Sequence, residues 1–514
     1  MSMNKSELQG VGSRDRDIAM DWFMKRSLQN GDRIAVQDGE SGQGWTYAEM
    51  DVRASRIALF LRQQGVSLGD RVGLFAPNDV AYVDLLFACR KIGAIFVPFN
   101  WRLSVAELNG IITDCTPTCI FVHPALEETV SLLSLHGGTR VGLQDEAYQL
   151  ALAEGESLAD PVECHMSHAW MMIYTGGTTG KPKGVILSYE SVLWNAVNTV
   201  ISWNLTADEI TPTYLPMFHT GGLNALSLPV LIAGGTVVIA KSFDAESVVK
   251  LLNQERCTIA LMVPTMYHML INSEAFEQSS FPTMHTFISG GAPCPQAVYE
   301  AFAHKKIAFK EGYGATESGP NNFVIDPKDS LRKSGSVGRP MMFTEVKLMR
   351  GLVEITEPHE VGEVVLYGKH LFQQYWKQPE ATQEVLKNGW FYTGDLGKRD
   401  EEGFYYIVGR KKDMIITGGE NVYPQEVEKL IESHPYVREA AVIGVPDTKW
   451  GEVIAAVVVL QPLGELTAEE LKAYCSCRIA KYKIPKRFRF ISELPKTAVG
   501  KCDKKALVAL FLPQ

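Results

Sequence analysis

Apolar runs and amphipathic stretches alternate along the first half of the chain. Residues 46–64 carry apolar side chains at helical spacing, namely Met50, Ala54, Ile57, Phe60 and Leu61. The apolar run 71–75 predicts a short buried strand, residues 81–92 predict a second helix, and residues 94–97 predict another strand. This order of strand and helix predicts parallel sheets with helices on both faces.

The alternation continues downstream. Residues 191–203 predict a helix and residues 235–240 a strand. Asp244 is placed to cap the next helix, which carries Val248, Leu251 and Leu252, and residues 258–263 predict the strand after it. A further strand-like run, 285–288, precedes a Gly-Gly turn.

A second unit begins near residue 410, where the charged run Gly-Arg-Lys-Lys-Asp interrupts the pattern. Pro424 suits the first turn of a helix that ends near residue 433, and two apolar runs, 440–445 and 454–460, follow. Thr467 and Glu470 have the spacing of a capping box. The prediction is an α/β protein: a large N-terminal domain of parallel and mixed sheets sandwiched by helices (1–409) plus a small C-terminal α/β domain (410–514).

Composition narrows the class of protein. A chain of 514 residues is too long for one ordinary core, and a net charge of −9 argues against a nucleic-acid partner. The polar N-terminus and the absence of a long apolar run predict a cytoplasmic protein. Nine cysteines without a Cys-x-x-Cys pair are typical of reduced core residues, and Cys164 with His165 and His168 is a weak metal candidate.

Residues 174–184 read Tyr-Thr-Gly-Gly-Thr-Thr-Gly-Lys-Pro-Lys-Gly and carry the strongest chemical signal. Glycines let the backbone approach an anion closely, and free amides in such a turn form an anion-binding nest. Thr175, Thr178 and Thr179 add hydroxyl donors, and Lys181 and Lys183 add positive charge. The run is therefore predicted to bind a polyphosphate, with a solvated turn as the alternative.

This run is not a P-loop of the kinase type. The P-loop pattern needs Gly at its first position and Ser or Thr at its last, where this chain has Thr175 and Pro182. Pro182 also disfavours the helix that follows a P-loop. The loop is predicted to join one strand to another instead, since the apolar run 185–187 follows.

The run resembles the phosphate-binding loop of the adenylate-forming superfamily, which includes acyl-CoA synthetases, luciferases and peptide-synthetase adenylation domains. The resemblance covers the chain from about Trp45 to Lys505. The commonest family version has Ser where this chain has Gly176. The resemblance implies that ATP is bound by Thr175, Gly176, Gly177, Thr178, Thr179, Gly180, Lys181 and Lys183.

The run Tyr-Gly-Ala-Thr-Glu at 313–317 is the second match to the superfamily. By resemblance, Tyr313 stacks on the adenine, Thr316 lies near the α-phosphate, and Glu317 binds Mg²⁺ with help from Thr179. A hard cation prefers such oxygen ligands. The segment that contains Gly291, Ala292 and Pro293 is similar to the family segment that flanks the adenine.

Two further matches complete the implied nucleotide site. Asp395, in Tyr-Thr-Gly-Asp, matches the acid that accepts hydrogen bonds from the ribose, and Arg410 matches the arginine of the same region. A turn cap and a hinge salt bridge are the structural alternatives for these two residues. Lys501, which follows Gly500, matches the mobile catalytic lysine, whose charge neutralises the transition state between the substrate carboxylate and the α-phosphate.

The resemblance also implies a two-step reaction that needs a moving domain. A carboxylic acid attacks ATP to give acyl-AMP and pyrophosphate, and CoA then displaces AMP. Lys412 matches the hinge about which the C-terminal domain rotates between the steps. Gly418, Gly419 and Glu420 match the loop that helps form the thioester site.

The acyl pocket is predicted from the same resemblance. Phe218 and His219 are expected at its entrance, with a core-packed pair as the alternative. The pocket is expected to pass Gly290, Gly314, Pro320 and Asn321, where glycines favour an open tunnel. The two asparagines, Asn321 and Asn322, are expected to bind a hydroxyl or a second carbonyl on the acid or to close a turn.

A medium- or long-chain fatty acid is the predicted substrate. An aryl-CoA ligase of the coumarate, ferulate or succinylbenzoate type and an enzyme that loads a carrier protein are the alternatives. A non-catalytic nucleotide-binding module is expected to lack Lys501 or Glu317, and both are present. The basic residues between 478 and 489 are expected to meet the CoA phosphates, an anionic membrane surface or solvent alone.

Overall fold

The computed structural model of the chain describes residues 17–176, 182–417, 420–447, 450–462, 464–496 and 502–511. The helices of these residues are Trp22–Asn30, Tyr47–Gln63, Ala81–Ile92, Val105–Cys115, Glu127–Ser131, Glu146–Glu154, Tyr189–Trp203, Thr220–Leu223, Ser227–Ala233, Ala245–Gln254, Pro264–Ile271, Glu274–Gln278, Gln296–His304, Pro327–Ser330, Pro379–Val385, Pro424–Glu432, Ala468–Ser476 and Lys504–Ala509. Short 3-10 turns lie at Pro124–Leu126, Lys411–Asp413 and Lys481–Lys483.

A seven-stranded mixed sheet forms the centre of the large N-terminal part. Its strands, in spatial order, are Gln374–Tyr375, Lys183–Ser188, Ala169–Thr175, Ile95–Pro98, Arg71–Phe75, Cys119–Val122 and Thr139–Gly142. The last five strands are mutually parallel, whereas the strand Lys183–Ser188 is antiparallel to both of its neighbours. The parallel part confirms the predicted α/β alternation, and the antiparallel edge makes the sheet mixed.

Two further sheets of the large part are mainly parallel. One has four strands, in the order Gly44–Thr46, Ile34–Asp38, Thr236–Ile239 and Ile210–Thr213, and only its first pair is antiparallel. The other has three parallel strands, Ile259–Met262, Thr286–Ser289 and Phe309–Glu311. In a parallel sheet the carboxyl ends of the strands share one edge, where ligands bind.

The remaining sheets of the large part are antiparallel. A six-stranded sheet contains Val353–Glu354, Glu345–Arg350, Gly362–Tyr367, Trp390–Arg399, Leu386–Lys387 and Tyr405–Arg410, and a two-stranded one contains Phe323–Val324 and Arg339–Pro340. The hydrophobic pattern of the sequence did not predict these antiparallel sheets. The final strand, Tyr405–Arg410, carries the chain to the predicted boundary between residues 409 and 410, which stays a prediction.

The helix Ala81–Ile92 occupies the main core, and all its residues are buried. Its apolar side chains share one cluster with residues of both the seven-stranded and the four-stranded sheet. Burying a charge is costly unless the charge is paired. Accordingly, Asp84 accepts a hydrogen bond from Arg53 Nε at 2.9 Å, and Lys91 Nζ lies 2.6 Å from Asp51 Oδ1.

The small C-terminal part is built on a five-stranded sheet with an apolar cluster on each face. Its strands are Glu420–Val422, Ile415–Thr417, Gly451–Leu460, Val437–Asp447 and Arg487–Phe490. Pro424 begins its helix, and the Thr467 hydroxyl and the Glu470 carboxylate cap each other's backbone amides, as predicted. The α/β class and the division into a large and a small part are therefore confirmed.

Boundaries agree with the predictions to within a few residues. The first amphipathic helix begins at Tyr47 because Thr46 and Glu49 form a capping box. Asp244 caps the helix Ala245–Gln254 by accepting a hydrogen bond from Ser247 N. All nine cysteines are free thiols, and seven are buried. A helix able to cross a bilayer is not found in any described part of the chain.

Candidate active site

The predicted phosphate loop joins two antiparallel strands, Ala169–Thr175 and Lys183–Ser188, as expected. Thr175 and Lys183 lie opposite each other and close the ladder at the base of the turn. Among the residues that the structure describes, no atom lies within 4 Å of a β-carbon placed on Gly176. Gly177, Thr178, Thr179, Gly180 and Lys181 lie outside the described residues.

The loop that contains Thr316 and Glu317 follows the strand Phe309–Glu311, at the carboxyl edge of the three-stranded parallel sheet. Its turn is held internally, since Ser318 Oγ accepts a hydrogen bond from Ala315 N at 2.9 Å. Asn322 donates from Nδ2 to Ser318 Oγ at 3.1 Å and to Gly319 O at 2.9 Å. These bonds hold Thr316, which is buried, beside Glu317.

The Glu317 carboxylate is fixed by a residue distant in sequence. Tyr375 Oη donates to Glu317 Oε1 at 3.0 Å, and Phe372 N donates to Glu317 O at 2.8 Å. A carboxylate has two oxygens, so a hydroxyl on one leaves the other for a cation. A carboxylate oxygen is a ligand that Mg²⁺ prefers, so Glu317 fits its predicted role.

Tyr313, Asp395 and Arg410 meet in space. Tyr313 Oη donates to Asp395 Oδ2 at 2.6 Å, and Arg410 Nε lies 2.7 Å from Asp395 Oδ1. Asp395 and Arg410 also face each other across two antiparallel strands. Burial and the neighbouring carboxylate raise the pKa of Tyr313 well above its usual value, so its hydroxyl remains a donor. Three predicted nucleotide-site residues thus form one cluster. Within it Arg410 forms a salt bridge, which was the structural alternative to a contact with the nucleotide.

The segment predicted to flank the adenine follows the neighbouring parallel strand, Thr286–Ser289. Gly291 has φ of +84°, which favours glycine, and Gly291, Ala292 and Pro293 are exposed. Glu311 anchors this segment, because Glu311 Oε1 accepts hydrogen bonds from Cys294 N at 2.9 Å and from Tyr299 Oη at 2.6 Å. Burial raises the pKa of Glu311.

Comparison with known proteins shows which family this chain belongs to. The family model described as AMP-binding enzyme matches residues 23–376, and the model of the AMP-binding enzyme C-terminal domain matches residues 426–501. This chain belongs to the AMP-binding enzyme family. Its relatives, described below, are acyl-CoA ligases, and this chain is likewise an AMP-forming acyl-CoA ligase that uses ATP, Mg²⁺ and CoA, which confirms the resemblance, the enzyme class and the cofactors inferred from the sequence.

Individual relatives are similar over almost their full length. Feruloyl-CoA synthase of Amycolatopsis sp is 39% identical over 496 residues, which cover 96% of this chain and 98% of that protein. Long-chain-fatty-acid–CoA ligase FadD13 of Mycobacterium tuberculosis is 38% identical over 499 residues, with 95% and 97% covered.

The solved structures of o-succinylbenzoate CoA synthetase from Bacillus subtilis are similar in fold. The complex with the acyl-adenylate OSB-AMP has a TM-score of 0.85 at 32% identity and covers 95% of this chain and 97% of that one. The complex with ATP and magnesium ion has a TM-score of 0.84 at 31% identity and covers 94% and 98%.

In this AMP-binding enzyme, the two glycines of the predicted acyl pocket differ in the space around them. A β-carbon on Gly314 would lie 2.3 Å from Pro320 O and 2.7 Å from Gly319 O. The missing side chain of Gly314 therefore makes room for the chain itself and not for an open tunnel. Gly290 is different, because its nearest neighbour to such a β-carbon, Leu261 Cδ1, is 3.7 Å away.

Phe218 and His219 precede the short helix Thr220–Leu223, with Phe218 buried and His219 partly buried. The Arg102 guanidinium lies 5.7 Å from the centre of the Phe218 ring. Asn321 is buried and donates from Nδ2 to Thr199 Oγ1 at 2.9 Å and to Ala225 O at 2.7 Å. Both amide hydrogens of Asn321 are thus donated to residues distant in sequence, so they join separate segments of the large part and do not close a local turn.

Two asparagines near this segment were not predicted. Asn195 Nδ2 donates to Asn224 O at 2.7 Å, and a β-carbon on Gly319 would lie 2.9 Å from Asn195 Oδ1. Asn195 Oδ1 and Asn224 Oδ1 are buried and accept no hydrogen bond from any residue that the structure describes. Neither position has a distinctive sequence signal, because an asparagine within a helix and one after a glycine pair are ordinary.

The C-terminal candidates are only partly described. Lys412 lies in the turn Lys411–Asp413, directly after Arg410, and Asp413 pairs with Lys504 at 3.3 Å. Glu420 begins the strand Glu420–Val422 and is exposed, whereas Gly418 and Gly419 lie outside the described residues. Lys501 is also outside them, although Lys496 and Cys502, on either side of its segment, form an antiparallel bridge.

Proposed function

We propose that this ligase activates an aromatic carboxylic acid of the hydroxycinnamate type, rather than the fatty acid predicted from the sequence. The observation that carries the proposal is the full-length similarity to feruloyl-CoA synthase. The solved structure with an aromatic acyl-adenylate supports it. A long-chain fatty acid is the second candidate, because FadD13 is nearly as similar.

The buried asparagines favour the aromatic acid. A buried acceptor without a donor is costly, and an alkyl chain offers none. A phenolic hydroxyl on the acid supplies a donor to Asn195 Oδ1 or Asn224 Oδ1, two buried acceptors for which the described residues provide none. Asn195 lies in the helix Tyr189–Trp203 and packs against Gly319 of the segment after Glu317, whereas Asn224 directly follows the helix Thr220–Leu223 and is joined to Asn195 by a hydrogen bond.

In the proposed first step, the substrate carboxylate attacks the α-phosphorus of ATP, and pyrophosphate leaves. Tyr313, Asp395 and Arg410 hold the nucleoside, and the phosphate loop and Lys183 hold the phosphates. Bound Mg²⁺ supplies neutralisation of phosphate charge, and Glu317 is the carboxylate that would hold it. Thr316 and His219 orient the reacting groups. Lys501 neutralises the negative charge while that charge shifts from the substrate carboxylate to the phosphate.

In the second step, the CoA thiolate attacks the acyl carbonyl, and AMP leaves with the electron pair of the broken bond. We assign this step to the arrangement in which the C-terminal domain has turned about Lys412. That rotation withdraws Lys501 and brings Gly418, Gly419 and Glu420 to the site.

A panel of acids tests the substrate assignment. Purified enzyme with ATP, Mg²⁺ and CoA is offered ferulate, 4-coumarate, cinnamate and saturated fatty acids, and acyl-CoA is measured. We expect kcat/KM for ferulate or 4-coumarate to exceed that for cinnamate, which lacks the hydroxyl, by about tenfold or more, because a site that pairs with a hydroxyl rejects the analogue without it.

The asparagines are tested by the isosteric change Asn195→Leu. Leucine also removes the hydrogen bond from Asn195 Nδ2 to Asn224 O, so we expect lower activity with both acids but a larger loss with 4-coumarate, and the preference for the hydroxylated acid should disappear. A fatty acid used more efficiently than every aromatic acid would overturn the proposal and favour the second candidate.

A further inference from the structure

We propose that Tyr375 is a positioning residue for adenylation, which orients the Glu317 carboxylate for Mg²⁺ and couples it to the phosphate loop through Lys183. The inference rests on the proposed role of Glu317. Tyr375 was not among the residues predicted from the sequence, and its importance is visible only in its contacts.

The backbone of Tyr375 is attached to the phosphate loop. Its strand, Gln374–Tyr375, is the edge of the seven-stranded sheet and pairs antiparallel with Lys183–Ser188, the strand that leaves the loop. Gln373 N donates to Ile186 O at 2.9 Å, and Trp376 N donates to Gly184 O at 2.7 Å. These bonds place Tyr375 opposite Val185, next to the point where the loop ends.

The side chain of Tyr375 reaches the metal-site loop. Tyr375 is 6% exposed, and its hydroxyl donates to Glu317 Oε1 at 3.0 Å. Phe372, three residues earlier, donates from its backbone to Glu317 O at 2.8 Å and packs on the Tyr375 ring with centroids 4.9 Å apart. Glu317 is therefore fixed at both its backbone and its carboxylate by one short segment.

The ring of Tyr375 contacts the other charged partner of the site. Lys183 Nζ lies 4.7 Å from the ring centre, a cation–π distance. One side chain thus contacts the carboxylate assigned to the metal and a lysine assigned to the phosphates. Glu317 would hold the cation of bound MgATP and Lys183 would contact its phosphates, so the spacing of these two protein groups would set how well metal and nucleotide bind together.

The substitution Tyr375→Phe separates the hydroxyl from the ring. Phenylalanine keeps the contact with Lys183 and removes only the hydrogen bond to Glu317. Loss of a partner that orients a metal ligand typically lowers metal affinity by about tenfold or more. We expect Tyr375→Phe to bind MgATP about tenfold more weakly by calorimetry, while its affinity for ATP in EDTA stays within about twofold of wild type, because no metal is then held.

Kinetics supply a second readout. In acid-dependent pyrophosphate exchange, Tyr375→Phe is expected to need about tenfold more free Mg²⁺ for half-maximal rate, with most of kcat recovered at saturating Mg²⁺. Tyr375→Leu, which also removes the ring, is expected to weaken ATP binding in EDTA as well. The control is Tyr406→Phe, which removes a hydroxyl bound to Asp400 Oδ2 at 3.3 Å outside the site and is expected to resemble wild type.

A double-mutant cycle completes the test. In Glu317→Gln the carboxylate charge is gone, so adding Tyr375→Phe should change MgATP affinity no further. The proposal fails if Tyr375→Phe binds MgATP within twofold of wild type, if it loses equal affinity with and without Mg²⁺, or if its effect persists in Glu317→Gln. Absence of acid- and Mg²⁺-dependent exchange in the wild type would instead contradict the proposed function.

Discussion

At the scale of a single residue, His370 makes the stability of the protein depend on pH. It is 1% exposed, and its Nε2 lies 2.9 Å from Asn322 Oδ1, so the neutral ring donates to the asparagine that closes the loop after Glu317. Burial lowers the pKa of His370 to about 4 from its ordinary 6.5. The unfolded chain therefore takes up a proton at a higher pH than the folded protein does.

This difference predicts a loss of stability in mild acid. As pH falls from about 6.5 to about 4, the unfolded state gains protons at His370 and the folded state does not, so the free energy of unfolding decreases. Between pH 7 and pH 5 the expected loss from this residue is about 2 kcal/mol. Thermal unfolding scans should show a smaller drop for His370→Gln, which does not titrate. An equal drop in both proteins would contradict the shift.

Asp395 gives a second prediction at the residue scale. Its two oxygens already bind Tyr313 and Arg410, so the carboxylate is held in place before a nucleotide arrives. We expect Asp395→Asn to weaken both AMP and ATP by about tenfold, through loss of charge-assisted hydrogen bonds. Glu360→Gln, which alters an exposed pair with Arg350, is the matched control and should bind normally. Normal AMP affinity in Asp395→Asn would remove Asp395 from the site.

At the scale of elements, the loop 312–323 follows a parallel strand and folds back on itself. A β-carbon at Gly314 would overlap the carbonyl group of Pro320, whereas one at Gly290 meets only ordinary contacts. We expect Gly314→Ala to destabilise the protein by about 2–3 kcal/mol, as overpacking does. Gly290→Ala should remain close to wild-type stability. Thermal scans compare the two, and equal stability would show that the loop can relax.

At the scale of the whole molecule, the two half-reactions are expected to depend on different parts of the chain. Lys501 belongs to the small C-terminal part, whereas Tyr313 and Glu317 belong to the large one. We expect Lys501→Ala to lose adenylation by about a hundredfold or more, as for removal of a charge aimed at the transition state, yet to convert supplied acyl-AMP and CoA into acyl-CoA. Separate assays of the half-reactions check this. Equal loss in both would contradict a role limited to the first step.

The division near residue 410 stays a prediction, and the salt bridges on either side of it suggest how a hinge there would be held. Arg410 is paired to Asp395 in the large part, and Lys411 Nζ lies 2.9 Å from Glu363 Oε2. Only two residues later, Asp413 pairs with Lys504, close in sequence to Lys501. Within the turn Lys411–Asp413, Lys411 is thus paired with the large part and Asp413 with the small part. Lys412 lies between them and is the predicted pivot.

Local sequence determined the helices, the parallel strands and the chemistry of the loops, because each depends on near neighbours. Apolar spacing predicted the helix that begins at Tyr47, and Thr467 with Glu470 marked a cap that the structure contains. The strand-to-strand phosphate loop followed from Pro182 and the flanking apolar runs. The sequence motifs shared with the family were sufficient to identify the adenylate-forming chemistry.

Tertiary structure alone decided which distant residues meet. Tyr375 reaches Glu317 across 58 positions, and His370 reaches Asn322 across 48. The antiparallel six-stranded sheet and the tight fit at Gly314 were not predicted, since strand pairing and backbone contacts depend on long-range packing that no local pattern encodes. Sequence therefore specified the reactive groups through local chemistry, whereas the folded chain set their spacing, because that spacing arises from contacts between segments far apart along it.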